Sequence, residues 1–178
     1  MRAAALGVLA SAALPAAAHA QEVFAGVYKH AVDTPFSLYT GEGGADIELG
    51  YRFAPIRALK AVGSPSPYVI ASLNTAGDTS FAGAGMSWRF GIAGPVYVRP
   101  GLGLIVNTAP RFRYDAARGQ ETDLGSRVLF EPELGLGYRL APRTAIEASW
   151  THISGARLFN AQQNPGIDMW GARINLRL

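Results

Sequence analysis

The chain has 178 residues, of which 49% are hydrophobic and 16% are charged, with a formal net charge of +3 and no cysteine. This composition excludes an intrinsically disordered chain, which needs low hydrophobicity and high net charge, and the length suits one domain. The lack of cysteine excludes disulfides and thiolate chemistry, and the small net charge gives no reason to expect a nucleic-acid partner.

The first twenty residues have the features of a secretory signal peptide. Arg2 precedes an alanine-rich apolar run over 3–18, and Ala18-His19-Ala20 fits an A-x-A cleavage site. We therefore predict a signal peptide over 1–20 and an outer-membrane barrel over 21–178. A membrane anchor is the alternative, but the run is short and ends in small residues. No later apolar run reaches the ~18 residues of a transmembrane helix.

After residue 20 the chain alternates between apolar and polar residues with a period of two, which indicates β-strands. In one example Leu134, Leu136 and Tyr138 alternate with Gly135 and Gly137. The pattern predicts strands over 22–33, 45–54, 67–75, 79–92, 95–107, 127–140, 144–155 and 167–178.

The alternation does not itself say which face points inward. A soluble ligand-binding barrel would bury the apolar face, whereas a membrane barrel would turn it toward lipid. Glycines crowd the polar face, as a narrow lumen requires, and lysine, common on water-facing surfaces, occurs only at Lys29 and Lys60. These glycines are Gly50, Gly83, Gly85, Gly91, Gly101, Gly103, Gly135, Gly137 and Gly171. We predict an all-β fold, an eight-stranded antiparallel transmembrane β-barrel of the bacterial outer membrane.

Charged side chains on the predicted lumen face are expected to neutralise one another. The arginines are Arg89, Arg99, Arg139 and Arg173, and the glutamates are Glu48, Glu131, Glu133 and Glu147. A catalytic carboxylate pair at Glu131 and Glu133 is the alternative, but ion pairing within the lumen is the simpler interpretation.

The connections differ in length, as they do in outer-membrane barrels. Connections 34–44, 108–126 and 156–166 are predicted outside the cell, and turns 93–94 and 141–143 in the periplasm. Two connections fit less well, because 76–78 is short for an outer loop and 55–66 is long for a periplasmic turn.

The last two predicted strands bring together three groups that can form a catalytic triad. Trp150, His152 and Ser154 share the apolar face of one strand, and Asp168 begins the apolar face of the next. An antiparallel hairpin places Asp168 opposite His152 or Ser154. A serine becomes a nucleophile when a histidine takes its proton and a carboxylate orients that histidine. Ser154 would then lie at the outer leaflet, within reach of lipopolysaccharide esters.

Each of these residues also has a simpler explanation. His152 alone fits an interfacial histidine, and Asp168 alone fits a residue that follows a turn. The tryptophans at 88, 150 and 170 fit either an interfacial belt or an acyl-binding groove. The loop arginines at 111, 113, 118 and 157 would meet lipid phosphates or water. With His30 far along the chain from His152, we expect no metal and no cofactor.

Residues Trp150-Thr-His152-Ile-Ser154-Gly-Ala156, followed by Asn164-Pro-Gly-Ile-Asp168, resemble the lipid A 3-O-deacylase (PagL) family of acyloxyacyl hydrolase-like outer-membrane proteins. That family has His-x-Ser-Asn-Ala followed by an acidic residue after a turn. The resemblance implies that Ser154 is the nucleophile, His152 the base and Asp168 the acid. It also implies hydrolysis of the 3-position ester of lipid A without a metal. Gly155 replaces the family's oxyanion-hole Asn, so its backbone N–H or a loop group such as Asn160 would stabilise the oxyanion.

The sequence therefore predicts an outer-membrane serine esterase that removes the 3-O-linked hydroxyacyl chain from lipid A, with that chain beside Trp150. Its partners would be lipopolysaccharide and outer-membrane lipid, and not nucleic acid. One alternative is a non-enzymatic barrel, such as an adhesin, a structural protein or a narrow pore. Another is a soluble or periplasmic lipid-binding barrel. The sequence leaves open whether the barrel forms a homodimer.

Overall fold

The computed structural model describes residues 21–35, 37, 40–110, 112–115, 119–158 and 165–178. The predicted signal peptide over 1–20 lies outside the described residues and stays a prediction. Arg111, Arg118 and Asn160, which the sequence singled out in loops, also lie outside them.

The described chain is built from antiparallel strands. They are β1 Glu22–Lys29, β2 Ala45–Arg52, β3 Ser66–Asn74, β4 Phe81–Ser87, β5 Phe90–Ala93, β6 Val96–Asn107, β7 Arg113–Asp115, β8 Gln120–Thr122, β9 Val128–Ala141, β10 Thr144–Ser154 and β11 Gly166–Arg177. The order β1-β2-β3-β4-β6-β9-β10-β11 closes on itself through β1 and β11. Strands β4 and β5 both pair with β6, one after the other, so together they count as one strand of the barrel. The barrel therefore has eight strands, and the predicted fold is confirmed.

Some predicted element boundaries were wrong. The predicted strand over 79–92 is interrupted at Trp88 and Arg89, where the Trp88 indole N–H donates to the Val62 carbonyl over 2.7 Å. The first strand ends at Lys29 instead of residue 33, and Ala31 has a φ of 50°, which a strand does not permit. The long connection before β3 holds the 3-10 helix Arg57–Val62. No helix in the described part of the chain is both long and apolar enough to span a membrane.

The apolar face of each barrel strand points out of the barrel, as predicted. Leu49 and Leu136 are 58% and 56% exposed, whereas Glu48 and Glu131 are 1% and 0% exposed. A water-soluble barrel would bury these leucines, because exposed apolar area in water is unfavourable. An apolar exterior is what a barrel presents to lipid.

Aromatic rings fill the lumen where strands carry glycine. A Cβ at Gly50 would lie 2.0 Å from the Phe24 ring, and one at Gly137 would lie 2.1 Å from the Tyr97 ring. These glycines are therefore required by close packing, as the sequence predicted. Gly91 is the exception, because it is exposed, with no heavy atom within 4 Å of its would-be Cβ.

The charged side chains in the lumen form a network centred on Arg173. Its guanidinium lies 2.6 Å from both Glu133 and Glu147. Arg99 pairs with Glu147 at 2.8 Å and with Glu22 at 2.9 Å. Each charge buried without water requires such partners.

The predicted ion pairs of two lumen residues, Arg139 and Glu131, were wrong. Arg139 lines the mouth of the lumen together with Glu22 and Arg89, but it is exposed and makes no ion pair with the described glutamates. Glu131 accepts a hydrogen bond from the Tyr68 hydroxyl instead of pairing with an arginine. Arg52, which lies 3.5 Å from Glu133, takes part instead.

Apolar side chains close the lumen at the end where β10 stops and β11 starts, which we call the outer rim. They belong to one buried cluster that includes Phe81, Ile105, Leu129, Ile153, Ile167 and Met169. The small hairpin β7–β8 lies within the predicted loop 108–126 at this end. The lumen is thus filled by ion pairs, aromatic rings and, at the outer rim, aliphatic side chains.

Candidate active site

The β10–β11 hairpin fixes the register of the predicted triad. His152 pairs with Asp168, and Ser154 pairs with Gly166. The sequence left His152 and Ser154 as alternatives for the partner of Asp168, and the structure selects His152. Glu147 and Ile153 on the same strand point into the lumen, so His152 and Ser154 lie on the outer face of the barrel, as predicted.

The carboxylate of Asp168 accepts hydrogen bonds on both of its oxygens. His152 Nδ1 lies 2.9 Å from Oδ1, and the Trp150 indole N–H donates to the same oxygen over 2.7 Å. The Thr34 hydroxyl donates to Oδ2. Asp168 is 0% exposed, so these donors replace water around its charge. A carboxylate on Nδ1 favours the tautomer in which Nε2 is the proton acceptor.

The ring of His152 lies over Gly166, which the sequence did not identify as a site residue. A Cβ at Gly166 would lie 2.3 Å from Cε1 of His152 and 2.8 Å from its Nε2. Gly166 is the residue that pairs with Ser154, so the imidazole lies over the position opposite the serine, but among the described residues His152 and Ser154 share no hydrogen bond. Any side chain at 166 would occupy the space of the ring. Ser154 is 6% and His152 8% exposed.

A tight turn follows the serine directly. The Leu158 N–H donates to the Gly155 carbonyl over 2.9 Å. Ala156 and Arg157 between them have φ values of 50° and 62°. Consecutive positive φ values in L-residues cost about 1–2 kcal/mol each, and such strain tends to collect at functional sites. Gly155 is buried beside Ser154, and its predicted oxyanion role stays a prediction.

Trp150 contacts the imidazole as well as the acid. Its ring stacks on His152 with a centroid distance of 5.9 Å and an interplanar angle of 26°. Trp170 is the cross-strand partner of Trp150 on β11 and is 53% exposed. The indole of Trp88 donates a hydrogen bond to the Val62 carbonyl at the opposite end of the barrel. Of the three, only Trp150 therefore adjoins both His152 and Asp168 through these contacts.

The structure also places the charged residues that the sequence singled out. Glu131 and Glu133 are buried in the lumen, which favours their structural interpretation. Arg113 pairs with Glu42 at 2.8 Å and with Asp78 at 3.3 Å, and Arg157 is exposed.

His30, the second described histidine, sits between two carboxylates. Its Nδ1 lies 2.8 Å from Asp46, and its Nε2 lies 2.7 Å from Glu42. Burial disfavours the charged imidazolium, but hydrogen bonds to these carboxylates outweigh burial and raise the pKa of His30 to about 9. In the described part of the chain, no group of three or more His, Asp or Glu side chains is arranged to hold a metal ion.

Comparison with known proteins identifies the family of the chain. The model of the lipid A 3-O-deacylase (PagL) family matches residues 31–177, which include all three members of the cluster. The chain belongs to the lipid A 3-O-deacylase family. Family membership and the barrel together place the protein in the bacterial outer membrane. A search of curated proteins found no match.

Solved structures similar to this member of the deacylase family share its barrel. The crystal structure of the outer membrane enzyme PagL has a TM-score of 0.62 and 19% identity, over 88% of this chain and 99% of that one. Neisserial surface protein A (NspA) has a TM-score of 0.57 and 13% identity, over 89% and 97% of the two chains. A de novo designed transmembrane β-barrel has a TM-score of 0.51 and 14% identity, over 89% and 95%. At these identities the likeness concerns the fold.

Proposed function

We propose that this protein is a serine esterase that removes the 3-O-linked hydroxyacyl chain from lipid A of lipopolysaccharide. Its family supports the substrate class. The observation that carries the proposal is the bond of His152 to Asp168, with Ser154 one pair further along the same outer face. This arrangement provides a nucleophile, a base and an acid where lipid esters meet the barrel.

In the proposed reaction, Oγ of Ser154 attacks the ester carbonyl while Nε2 of His152 takes the hydroxyl proton. Asp168 holds the imidazole and stabilises its positive charge. The oxyanion would lie near the Gly155 N–H. Collapse of the intermediate returns the proton from His152 to the sugar oxygen, which leaves. Water, activated by His152, then hydrolyses the acyl-enzyme and releases the 3-hydroxy fatty acid.

The same geometry supports a lipid substrate over a water-soluble one. Below Trp150 on the outer face come Ala148 and Ile146, and Ile146 is 46% exposed. An acyl chain along this face would remain in an apolar environment while its ester reaches Ser154. We propose that Trp150 adjoins this chain as well as binding Asp168. The proposed reaction needs neither a metal nor a cofactor.

The decisive test removes the nucleophile and the base separately. Ser154→Ala and His152→Ala should each lower release of 3-hydroxy fatty acid by at least about 10³-fold, because triad members act as a unit. Mass spectrometry of lipopolysaccharide incubated with purified protein measures this release. Ser149→Ala is the matched control, since Ser149 lies on the lumen face of the same strand and should retain activity. Full activity in folded Ser154→Ala protein would refute the mechanism.

The alternatives to an enzyme have less support. A soluble lipid-binding barrel is disfavoured by the exposed leucines on its exterior, and a narrow pore by the filled lumen. A non-enzymatic adhesin or structural barrel predicts no release of fatty acid in the same assay. Sedimentation in detergent would test whether the barrel forms a homodimer, which the sequence leaves open.

A further inference from the structure

The segment 30–34, which the sequence analysis did not connect with the predicted triad, contacts Asp168. After β1 ends at Lys29, the chain stays alongside β11, and the Val32 N–H donates to the Asp168 carbonyl over 2.8 Å. Two residues later the Thr34 hydroxyl donates to Oδ2 of the Asp168 side chain. Thus the segment 30–34 binds Asp168 through both its backbone and its carboxylate.

The two carboxylate oxygens of Asp168 accept hydrogen bonds from different parts of the chain. Oδ1 binds His152 and Trp150, both from β10, whereas Thr34 reaches Oδ2 from the other side of β11. The torsion between a carboxylate and its Cβ is broad, so donors on one oxygen alone leave the group free to rotate. A third donor on the second oxygen fixes its plane, and hence the direction in which it holds the imidazole.

We propose that Thr34 is a positioning residue for the reaction, which orients the Asp168 carboxylate and through it His152. This inference rests on the proposed function. It assigns to the connection after β1 a part in the chemistry of the last hairpin, although the two are distant in sequence.

The segment that carries Thr34 is itself held in place. His30, four residues before Thr34, is fixed by Asp46 of β2 and by Glu42. Ser37 Oγ accepts from the Thr34 N–H at 3.3 Å, and lies 3.4 Å from the Val32 carbonyl. A threonine side chain has few accessible rotamers, so a fixed backbone also fixes its hydroxyl. A site supported in this way is pre-organised.

Thr34→Val is the sharpest variant, because it keeps the branched shape and removes only the hydroxyl. Hydrogen bonds to charged groups are stronger than neutral ones, and we expect kcat to fall about tenfold with KM within about twofold. The acidic limb of the pH profile of kcat/KM should move to higher pH, since a carboxylate that has lost a donor takes up a proton more readily. Thr34→Ser should restore both quantities, and Thr34→Ala substitutes for valine if valine prevents folding.

Activity is measured as release of 3-hydroxy fatty acid from lipopolysaccharide in detergent micelles. The rate at which a fluorophosphonate labels Ser154 is a second readout that does not depend on lipid A. Heat-modifiable migration in gels confirms that each barrel is folded. Thr108→Val is the matched control, because Thr108 is also at the outer rim but bonds to the Ser80 backbone, and it should behave as wild type.

The outcomes separate this inference from the proposed function. If wild type neither releases fatty acid nor reacts with the fluorophosphonate, the proposed function fails and this inference with it. If wild type is active and Thr34→Val matches it at every pH, only the role of Thr34 is refuted. A loss equal at all pH values that Thr34→Ser does not restore would also refute it, because that result indicates a merely structural role.

Discussion

The two described histidines lie in connected regions of the same barrel, yet their surroundings differ. His30 has a carboxylate on each ring nitrogen, at 2.8 Å and 2.7 Å. His152 has a carboxylate on Nδ1 at 2.9 Å, and its ring lies over Gly166, the residue that pairs with Ser154. An imidazole held by two carboxylates keeps its proton, whereas one held on Nδ1 can accept a proton at the other nitrogen.

The comparison teaches that the partner of the second nitrogen decides what a histidine can do. At His30 that partner is Glu42, which also binds the Thr79 hydroxyl at 2.7 Å and Arg113 at 2.8 Å. The result is a clamp between the chain after β1, strand β2 and the connection before it. At His152 the missing side chain of Gly166 makes room for the ring, and the strand residue paired with that glycine is Ser154.

Substituting each histidine by glutamine should give the largest difference in activity between the two sites. His152→Gln should lower release of 3-hydroxy fatty acid by at least about 10³-fold, because glutamine cannot take up the serine proton. His30→Gln should lower it by no more than about tenfold, the loss expected when Thr34 no longer orients Asp168. The measurement is mass spectrometry of the released acid, with both proteins checked for folding. Equal losses in the two variants would contradict the distinct roles.

Gly166→Ala tests whether the space over this glycine directs the imidazole. An added methyl would lie 2.3 Å from Cε1 of His152, so the ring must move. A displacement of about 1 Å at a catalytic group costs roughly 100-fold in rate. We expect that loss in kcat, with the barrel intact. Gly91→Ala is the control, because nothing lies within 4 Å of its would-be Cβ. Unchanged turnover in Gly166→Ala would remove the steric argument.

The clamp at His30 should appear as a dependence of stability on pH. Its pKa is raised from 6.5 to about 9, so its stabilising effect is complete below pH 6.5 and is lost as pH rises through 9. Between pH 7 and pH 10 the free energy of unfolding should fall by about 2.5 kcal/mol more in wild type than in His30→Gln. Urea titration of the barrel in lipid vesicles measures this difference. Parallel pH dependences in the two proteins would show that the clamp is not charged.

Much of the fold was readable because a membrane barrel imposes a strict period on its sequence. Leu134 and Leu136 face lipid and Gly135 and Gly137 face the lumen, since adjacent side chains on a strand point to opposite sides. The network was predicted less well. Arg139 obeys the same alternation but lies exposed at the mouth of the lumen, because alternation carries no information about height along the barrel axis.

The sequence by itself determined the eight barrel strands and the outward direction of their apolar faces. It also determined that Ser154, His152 and Asp168 lie on the outer faces of two neighbouring strands. These are local properties, set by the two-residue period and by the short separation of the last hairpin. Only the tertiary structure decided which residue faces Asp168, that Gly166 makes room for the imidazole, and that Thr34 reaches the acid. Thr34 and Asp168 meet because closure of the barrel sets β1 against β11. No periodic pattern along the chain records a contact made by closing a ring.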